Sequence, residues 1–419
     1  MYAQESQVFS YCRVFPEQFA KAQGCYLITS KEKKYIDFLS GCGSMNYGHN
    51  HPILVEALAG YIRDSGIVMS MDMATESKEK FIDRFDTRIL KPRNLSFKLQ
   101  FTGPTGANAV EAAIKIARKA TQRTNIVAFT NGFHGCSLGA LSLTGNRTQR
   151  SCSQTLLNQV TRAAYDGYFG SEVDTAEQLS KLLDDSSSGV DSPAAFVVEL
   201  IQGEGGLNAA SQSWLQKIKR TAERCGAKLI IDDVQAGCGR SGTFFSFEDM
   251  GIVPDMVVMA KGISGFGLPM SLLLLNEDLD VWEPGEHNGT FRGNNYAFVT
   301  AEKALTTFWT DNRFADELEH KISYLSNRLA EISARYGLKA KGRGFMQGID
   351  FVDGNLAAQV RAHCFDSQMI IETCGPKGEV LKLLPPLTIE PHELDEGLSI
   401  IEHAISRTEM GEARLPVTV

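Results

Sequence analysis

The middle of the chain alternates apolar runs of strand length with helical patterns, and this alternation limits the fold more than any other feature. Predicted strands cover residues 97–103, 125–133, 194–203, 228–234, 256–261 and 270–276, and predicted helices cover 107–120 and 213–226. Several runs, such as "MVVMA" and "SLLLL", are apolar throughout, which is typical of parallel strands buried on both faces. The pattern predicts an α/β fold in which helices cover a mostly parallel sheet.

The character of the sequence changes after about residue 297. A long helical stretch leads into short strand patterns and a last helix near 391–406, which indicates a smaller α+β domain. The chain has 419 residues, and single cores stop growing near ~250–300 residues. We predict an N-terminal segment (1–50) that packs with the small domain, a large domain (51–305) and a C-terminal small domain (306–419).

Polar or aromatic residues follow several predicted strands at the point where each strand ends. In chain order they are Thr105, Gly106 and Ala107, then Phe133 and His134, then Glu204, then Asp232 and Asp233, and finally Lys261. Ligands of an open α/β sheet bind beyond the carboxyl ends of its strands. The sequence therefore predicts a ligand site at this edge.

Lys261 and Asp232 each allow a structural and a chemical explanation. Lys261 can end its strand by reaching water, or desolvation can lower its pKa and make the neutral, nucleophilic amine accessible. Asp232 can form a helix cap or salt bridge, or it can pair with a protonated heterocycle. At an effective dielectric near 20, such a pair about 4 Å apart gains ~4 kcal/mol, which is roughly three pKa units.

A pyridoxal phosphate (PLP) cofactor would give most residues at this edge a use. Its protonated pyridine ring is an electron sink, and Asp232 would keep the ring protonated. Backbone N–H groups at the start of "TGANAVEAA" would hold the phosphate, and Phe133 or His134 would stack on the ring. Lys261 would form the Schiff base and later transfer the proton.

Three other motifs could indicate binding sites for other ligands, but none has the full pattern that such a site requires. "GCGRSG" (237–242) has the spacing of a dinucleotide fingerprint, but "TFFSFED" after it is a poor start for a helix. "GHNHP" (48–52) has no third metal ligand nearby, and it predicts a turn before a helix that starts at a proline. "GANAVEAA" lacks the Gly-Lys-Ser/Thr of a nucleoside-triphosphate loop. We expect no metal site.

The net charge disfavours some classes of partner, and the cysteine content indicates the cellular compartment. The net charge of −8 disfavours nucleic acid or an anionic membrane surface as a partner. The N-terminus lacks the pattern of a signal peptide, and no apolar run is long enough to span a bilayer. Nine cysteines without a C-x-x-C pair predict reduced thiols in a cytoplasmic protein.

Two long segments, "LIIDDVQAGCGRSGTFFSFE" and "PDMVVMAKGISGFGLPMS", resemble the signature of class III (ω-amino acid) aminotransferases of PLP fold type I. "YGHNHP", "FTGPTGANAVEAAIKIAR", "GFHG", "IQGEGG", "GTFRGNN" and "LLPPLTI" extend the resemblance over nearly the whole chain. It implies a PLP-dependent transferase fold, with a large domain on a mostly parallel central sheet and a smaller α+β domain.

The resemblance implies a role toward PLP for most residues of the edge. Lys261 would bind the cofactor covalently, and Asp232 would pair with the pyridine nitrogen. The other contacts would be Phe133 above the ring with His134 adjacent, Val234 beneath it, Gln235 at the ring hydroxyl, and Thr105, Gly106 and Ala107 at the phosphate. Thr290 would reach the phosphate from a partner subunit, which implies a homodimer or larger homo-oligomer with active sites at the subunit interface.

The substrate pocket departs from relatives that act on ornithine. Glu204 matches the glutamate with which family members switch between amino-acid substrates. Cys136 and Lys382 stand where those relatives carry arginines that grip carboxylates or pair with the switch glutamate. Lysine is a point charge rather than a bidentate fork, so carboxylates are bound differently here. Arg13 and Arg292 are candidate replacements, each of which can equally be structural.

The resemblance implies transfer of the amino group of L-glutamate to L-aspartate 4-semialdehyde, giving L-2,4-diaminobutyrate and 2-oxoglutarate, often the first step of ectoine biosynthesis. The alternatives are an ornithine, acetylornithine or 4-aminobutyrate aminotransferase, and a PLP-dependent aminomutase or epimerase. A catalytically silent assembly protein is a further alternative, which the intact Lys261 and Asp232 disfavour. A nicotinamide oxidoreductase fits least.

Overall fold

A computed structural model describes residues 4–151 and 157–408. Its strands are β1 (Phe19–Gln23), β2 (Tyr26–Thr29), β3 (Lys34–Asp37), β4 (Lys98–Gly103), β5 (Ile126–Phe129), β6 (Val160–Ala163), β7 (Ala195–Val198), β8 (Lys228–Asp232), β9 (Met256–Met259), β10 (Ser271–Leu275), β11 (Lys339–Arg343), β12 (Met346–Asp350), β13 (Met369–Ile370), β14 (Glu372–Cys374) and β15 (Val380–Leu383). Its α-helices are α1 (Tyr11–Val14), α2 (Ser40–Gly43), α3 (Pro52–Arg63), α4 (Glu76–Phe85), α5 (Gly106–Thr121), α6 (Leu138–Leu143), α7 (Arg147–Arg150), α8 (Thr175–Asp184), α9 (Gln212–Arg224), α10 (Asn295–Phe308), α11 (Arg313–Tyr336), α12 (Gly354–Asp366) and α13 (Pro391–Ser406).

The central sheet has seven strands in the order β4-β10-β9-β8-β7-β5-β6. β10 is antiparallel to both of its neighbours, and the other pairs are parallel. The predicted mostly parallel sheet is therefore confirmed. The apolar run of β10 belongs to the antiparallel strand, because burial on both faces, rather than strand direction, demands apolar side chains.

Both faces of this sheet are covered. In β8, Leu229 and Ile231 belong to one buried apolar cluster and Ile230 belongs to another. Successive side chains of a strand point to opposite faces, so one cluster lies on each side of the sheet. Helix α5 contributes small apolar side chains to the second cluster, which lets it pack closely on the strands.

The N-terminal strands join a C-terminal strand in a sheet of their own, in the order β1-β2-β3-β13. Ile36 and Asp37 of β3 pair with Met369 and Ile370 of β13 in parallel register. A third sheet has the order β11-β12-β15-β14. These pairings support the prediction that residues 1–50 pack with the C-terminal part, and the domain boundaries at 50 and 305 stay predictions.

Two of the competing motifs have structural uses. "GHNHP" precedes α3, which begins at Pro52, so the predicted turn before a proline-started helix is confirmed. In "GCGRSG" the side chain of Arg240 is fully buried and donates to the carbonyl of Pro385 and to Asn46 Oδ1. This arginine ties the loop to distant segments. Among the described helices, none has both the length and the apolar character needed to cross a membrane.

Candidate active site

A cavity of about 140 Å³ lies at the carboxyl edge of the central sheet. Its lining consists of Gly106, Ala107, Phe133, His134, Gly135, Glu199, Gly203, Glu204, Asp232, Val234, Gln235 and Lys261. The strands β4, β5, β7, β8 and β9 all end at this edge, because β10 alone reverses direction between them. Most of the predicted site residues therefore meet in one cavity.

Asp232 ends β8 and is held by two partners. Its Oδ2 lies 2.7 Å from His134 Nδ1, and its Oδ1 accepts a hydrogen bond from the backbone N–H of Val234 at 3.1 Å. Burial lowers the pKa of His134, but the hydrogen bond to Asp232 and the charge of that carboxylate outweigh it, so the pKa is raised. His134 thus orients Asp232 by donating from Nδ1. The neighbouring Asp233 bonds instead to Ser246.

Glu199, just after β7, is a residue that the sequence analysis missed. Its two carboxylate oxygens accept from the backbone N–H groups of Phe133 at 2.8 Å and Gly203 at 3.1 Å. Burial raises its pKa to about 7, with His134 acting in the opposite direction. Glu199 thereby joins the loop that carries Phe133 to the loop that carries Glu204. A carboxylate at the end of an apolar run was the available signal, as it was for Asp232.

Lys261 opens a short 3-10 turn (Lys261–Ser264) directly after β9. Its backbone φ of 51° lies in the left-handed region, which a side chain with a Cβ adopts only at a cost. Burial, and then the positive charge of Lys382, lower the pKa of the Lys261 amine. Both effects favour the neutral, nucleophilic form that covalent chemistry requires.

The start of α5 offers an anion cradle at the same edge. Thr105 is exposed and caps the helix, with its hydroxyl accepting from the N–H of Asn108 and its own N–H donating to Asn108 Oδ1. The N–H groups of Gly106 and Ala107 belong to the first turn, where no intrahelical acceptor exists. A Cβ on Gly106 would lie 2.8 Å from the Val234 side chain, so glycine permits this close approach.

Neither Arg13 nor its neighbour Tyr11 lines the cavity. Arg13 is exposed, donates to the Phe9 carbonyl at 3.1 Å and to Gln7, and lies over the Phe9 ring. The hydroxyl of Tyr11, two residues earlier, donates to Glu372 at 2.9 Å. Arg13 therefore makes contacts within the N-terminal segment, and Tyr11 is the residue of α1 that bonds to Glu372.

The other residues that the sequence analysis singled out, for the substrate or for the cofactor phosphate, lie either beside the cavity or outside its lining. Lys382 is fully buried beside the cavity and lies 2.8 Å from Glu204. Thr290 and Cys136 are exposed, and neither lines the cavity of this chain. Arg292 donates to Asn288 at 3.3 Å, also outside the cavity lining.

Residues 11–405 match the family model described as "Aminotransferase class-III", and the chain belongs to that family. It is 51% identical over 405 residues to a diaminobutyrate–2-oxoglutarate transaminase of Vibrio parahaemolyticus, with 96% of each chain covered. It is 50% identical over 404 residues to an enzyme of the same name from Halalkalibacterium halodurans, covering 96% of this chain and 94% of that one.

Solved structures of lower identity have the same fold. An S-selective transaminase from Arthrobacter sp. superposes with a TM-score of 0.87 at 20% identity, covering 98% of this chain and 97% of that chain. The ornithine aminotransferase of Toxoplasma gondii superposes with a TM-score of 0.82 at 23% identity, covering 96% and 92%. The predicted fold and the predicted family are confirmed.

Proposed function

We propose that the protein is a PLP-dependent aminotransferase that moves the amino group of L-glutamate to L-aspartate 4-semialdehyde, giving L-2,4-diaminobutyrate and 2-oxoglutarate. The observation that carries the proposal is the 51% identity, over 96% of both chains, to a diaminobutyrate–2-oxoglutarate transaminase. The cavity that joins Lys261 to Asp232 supports it.

The residues around the cavity fit PLP. The first turn of α5 suits the phosphate, the cavity wall includes Phe133 and Val234 for the two faces of the ring, and Asp232 is a fixed carboxylate for the ring nitrogen. Gln235 lines the same cavity and is the candidate for the ring hydroxyl. When bound, PLP supplies an electron sink next to the reacting carbon of the substrate.

Lys261 is the proposed base. Its Nζ would hold the cofactor covalently at rest and, once free, would take the proton from the reacting carbon of the substrate and return it. Its lowered pKa, caused first by burial, keeps the amine in the form that can accept this proton. Asp232, held by His134 at 2.7 Å, would face the ring nitrogen of the cofactor as its hydrogen-bond partner.

Glu204 and Lys382 together let one site accept two amino acids that differ at the reacting carbon. Glutamate reacts at a carbon that carries a carboxylate, whereas diaminobutyrate reacts at its terminal carbon, which carries none. Lys382 binds the carboxylate of glutamate in the first case, and Glu204 covers Lys382 in the second. The 2.8 Å ion pair between these two side chains supports this exchange.

We also propose that a second copy of the chain completes the site with Thr290. Thr290 is exposed and begins a short turn (Thr290–Gly293). A β-bridge between Met69 and Asn294 joins this turn to the segment around Met69. Large apolar side chains are exposed on both segments, namely Ile67, Val68, Met71, Met73 and Phe291. An apolar surface of this kind is suited to a subunit interface. The cytoplasmic location stays a prediction.

The test is the visible absorption spectrum of the purified holoenzyme before and after addition of L-2,4-diaminobutyrate, without keto acid. We expect the absorption band of the bound cofactor to bleach with diaminobutyrate and with glutamate, but not with ornithine or 4-aminobutyrate. Bleaching with ornithine or 4-aminobutyrate instead of diaminobutyrate would assign a different substrate. The absence of any cofactor band after addition of PLP would contradict the whole proposal.

A further inference from the structure

The ammonium group of Lys382 lies between two carboxylates. Its Nζ is 2.8 Å from Glu204 Oε1 and 2.9 Å from Glu372 Oε1, and the lysine side chain has no exposed surface. It also donates to the carbonyl of Gly203 at 3.2 Å. A buried ammonium is stable only when it is paired and hydrogen-bonded. Here two carboxylates lie beside one ammonium group.

Glu372 is the fixed member of this arrangement. It lies on β14 directly opposite Lys382 on β15, in antiparallel register. Its side chain is only 7% exposed, and its second oxygen accepts from the hydroxyl of Tyr11 at 2.9 Å. The Tyr11 hydroxyl in turn lies 2.9 Å from Cys42 Sγ, so α1 and the segment after β3 both hold this carboxylate in place.

Glu204 is the movable member. Its side chain is 38% exposed, and it lies in the loop after β7 rather than on a strand. It faces two cavities, the one that contains Lys261 and a neighbouring one of about 430 Å³ lined by Asn146, Arg147 and Gly375 among others. The carboxylate of Glu204 thus has space into which it can turn, whereas that of Glu372 is buried and bonded to Tyr11.

We propose that Glu372 is a positioning residue for the exchange of amino acids. It holds the ammonium group of Lys382 in place while Glu204 turns away and the carboxylate on the reacting carbon of glutamate takes its position. Lys382 then lies between two carboxylates in both half-reactions, one of which is always Glu372. This inference rests on the proposed function, and it adds a residue that the glutamate switch itself does not require.

The test compares the two half-reactions of the holoenzyme in the Glu372→Gln variant, followed by the absorbance of the bound cofactor in single turnovers. With L-glutamate, the concentration for half-maximal rate should rise about tenfold, because Lys382 loses its fixed partner when Glu204 leaves. With L-2,4-diaminobutyrate it should change less than about twofold, since Glu204 still covers Lys382. The Glu372→Asp variant, which keeps the charge, should recover part of the glutamate affinity.

Glu379→Gln is the matched control, because Glu379 lies close in the chain and its carboxylate accepts from the backbone N–H of Lys377 rather than pairing with Lys382. Equal losses with both amino acids in the Glu372→Gln variant, or no loss with either, would overturn the inference. If that variant does not fold, Tyr11→Phe is the substitute, because it removes only the hydroxyl that donates to Glu372. It should also raise the concentration of L-glutamate for half-maximal rate. A wild-type protein that reacts with neither amino acid would contradict the proposed function instead.

Discussion

Two groups of side chains meet at the cavity, and they are built differently. The strand-edge group, His134, Glu199, Asp232 and Lys261, comes from the ends of strands in one sheet. The lysine–carboxylate group, Tyr11, Glu204, Glu372 and Lys382, comes from segments far apart in the chain, since Tyr11 and Glu372 alone are separated by 361 residues. The first group depends on one sheet, and the second depends on how the N-terminal and C-terminal parts dock.

The two groups also differ in freedom. In the strand-edge group, Asp232 and Glu199 are buried, and each accepts a backbone hydrogen bond. In the lysine–carboxylate group, Glu204 is partly exposed. A fixed group suits chemistry common to both amino acids, and a group with one movable member suits discrimination between them. The predictions below test this division, because changes in the strand-edge group should affect both amino acids equally.

The largest effect is expected for Lys261→Ala. Removal of the amine takes away both the covalent link and the base, so the rate should fall about ten-thousandfold or more with either amino acid. Single-turnover absorbance measures both half-reactions, and Lys31→Ala, at an exposed position, is the control. Near-native turnover in the Lys261→Ala variant would contradict the proposed role.

Asp232→Asn should have the next largest effect. The substitution keeps the shape but removes a charge whose pairing energy is ~4 kcal/mol at an effective dielectric of 20, so both half-reactions should slow roughly a thousandfold. Asp233→Asn is the matched control, since Asp233 bonds to Ser246 rather than lining the cavity. Equal rates in the two variants would show that the charge of Asp232 is not needed.

Asp233 itself should affect stability and its pH dependence. Burial raises the pKa of Asp233 to about 6 from an ordinary 3.8. The protonated carboxyl stabilises the fold below about pH 4, and this contribution, on the order of 3 kcal/mol, is lost as the pH rises through 6. The Asp233→Asn variant should therefore gain stability relative to wild type between pH 4 and 7, measured by urea unfolding. Parallel pH curves for the two proteins would contradict this assignment.

Lys382→Met should separate the two amino acids. Glutamate loses the partner of its carboxylate, so its concentration for half-maximal rate should rise roughly thirtyfold, equivalent to about 2 kcal/mol. Diaminobutyrate has no carboxylate on its reacting carbon, so its concentration for half-maximal rate should change less, although loss of the Lys382 charge also removes one cause of the lowered pKa of Lys261. Single-turnover rates measured over a range of concentrations of each amino acid give both values. A loss of equal size for both amino acids would show that the lysine–carboxylate group does not discriminate between them.

Much of the strand-edge group could be predicted from the sequence, because apolar runs mark where each strand ends. Lys261, Asp232 and His134 follow such runs and lie at the cavity. Glu199 follows one too, but nothing local distinguishes a carboxylate that joins two loops from one that faces substrate. The structure alone reveals its two backbone partners.

The sequence by itself determined the α/β fold, the direction of most central strands and the edge at which the reactive residues collect. Hydrophobic periodicity encodes these features locally, because the pattern of apolar residues within each strand reflects which of its faces are buried. Only the tertiary structure decided that Tyr11, rather than Arg13, bonds to Glu372, and that Glu372 lies opposite Lys382. Strand register between β14 and β15 and the docking of α1 depend on packing between distant segments, which no local pattern specifies.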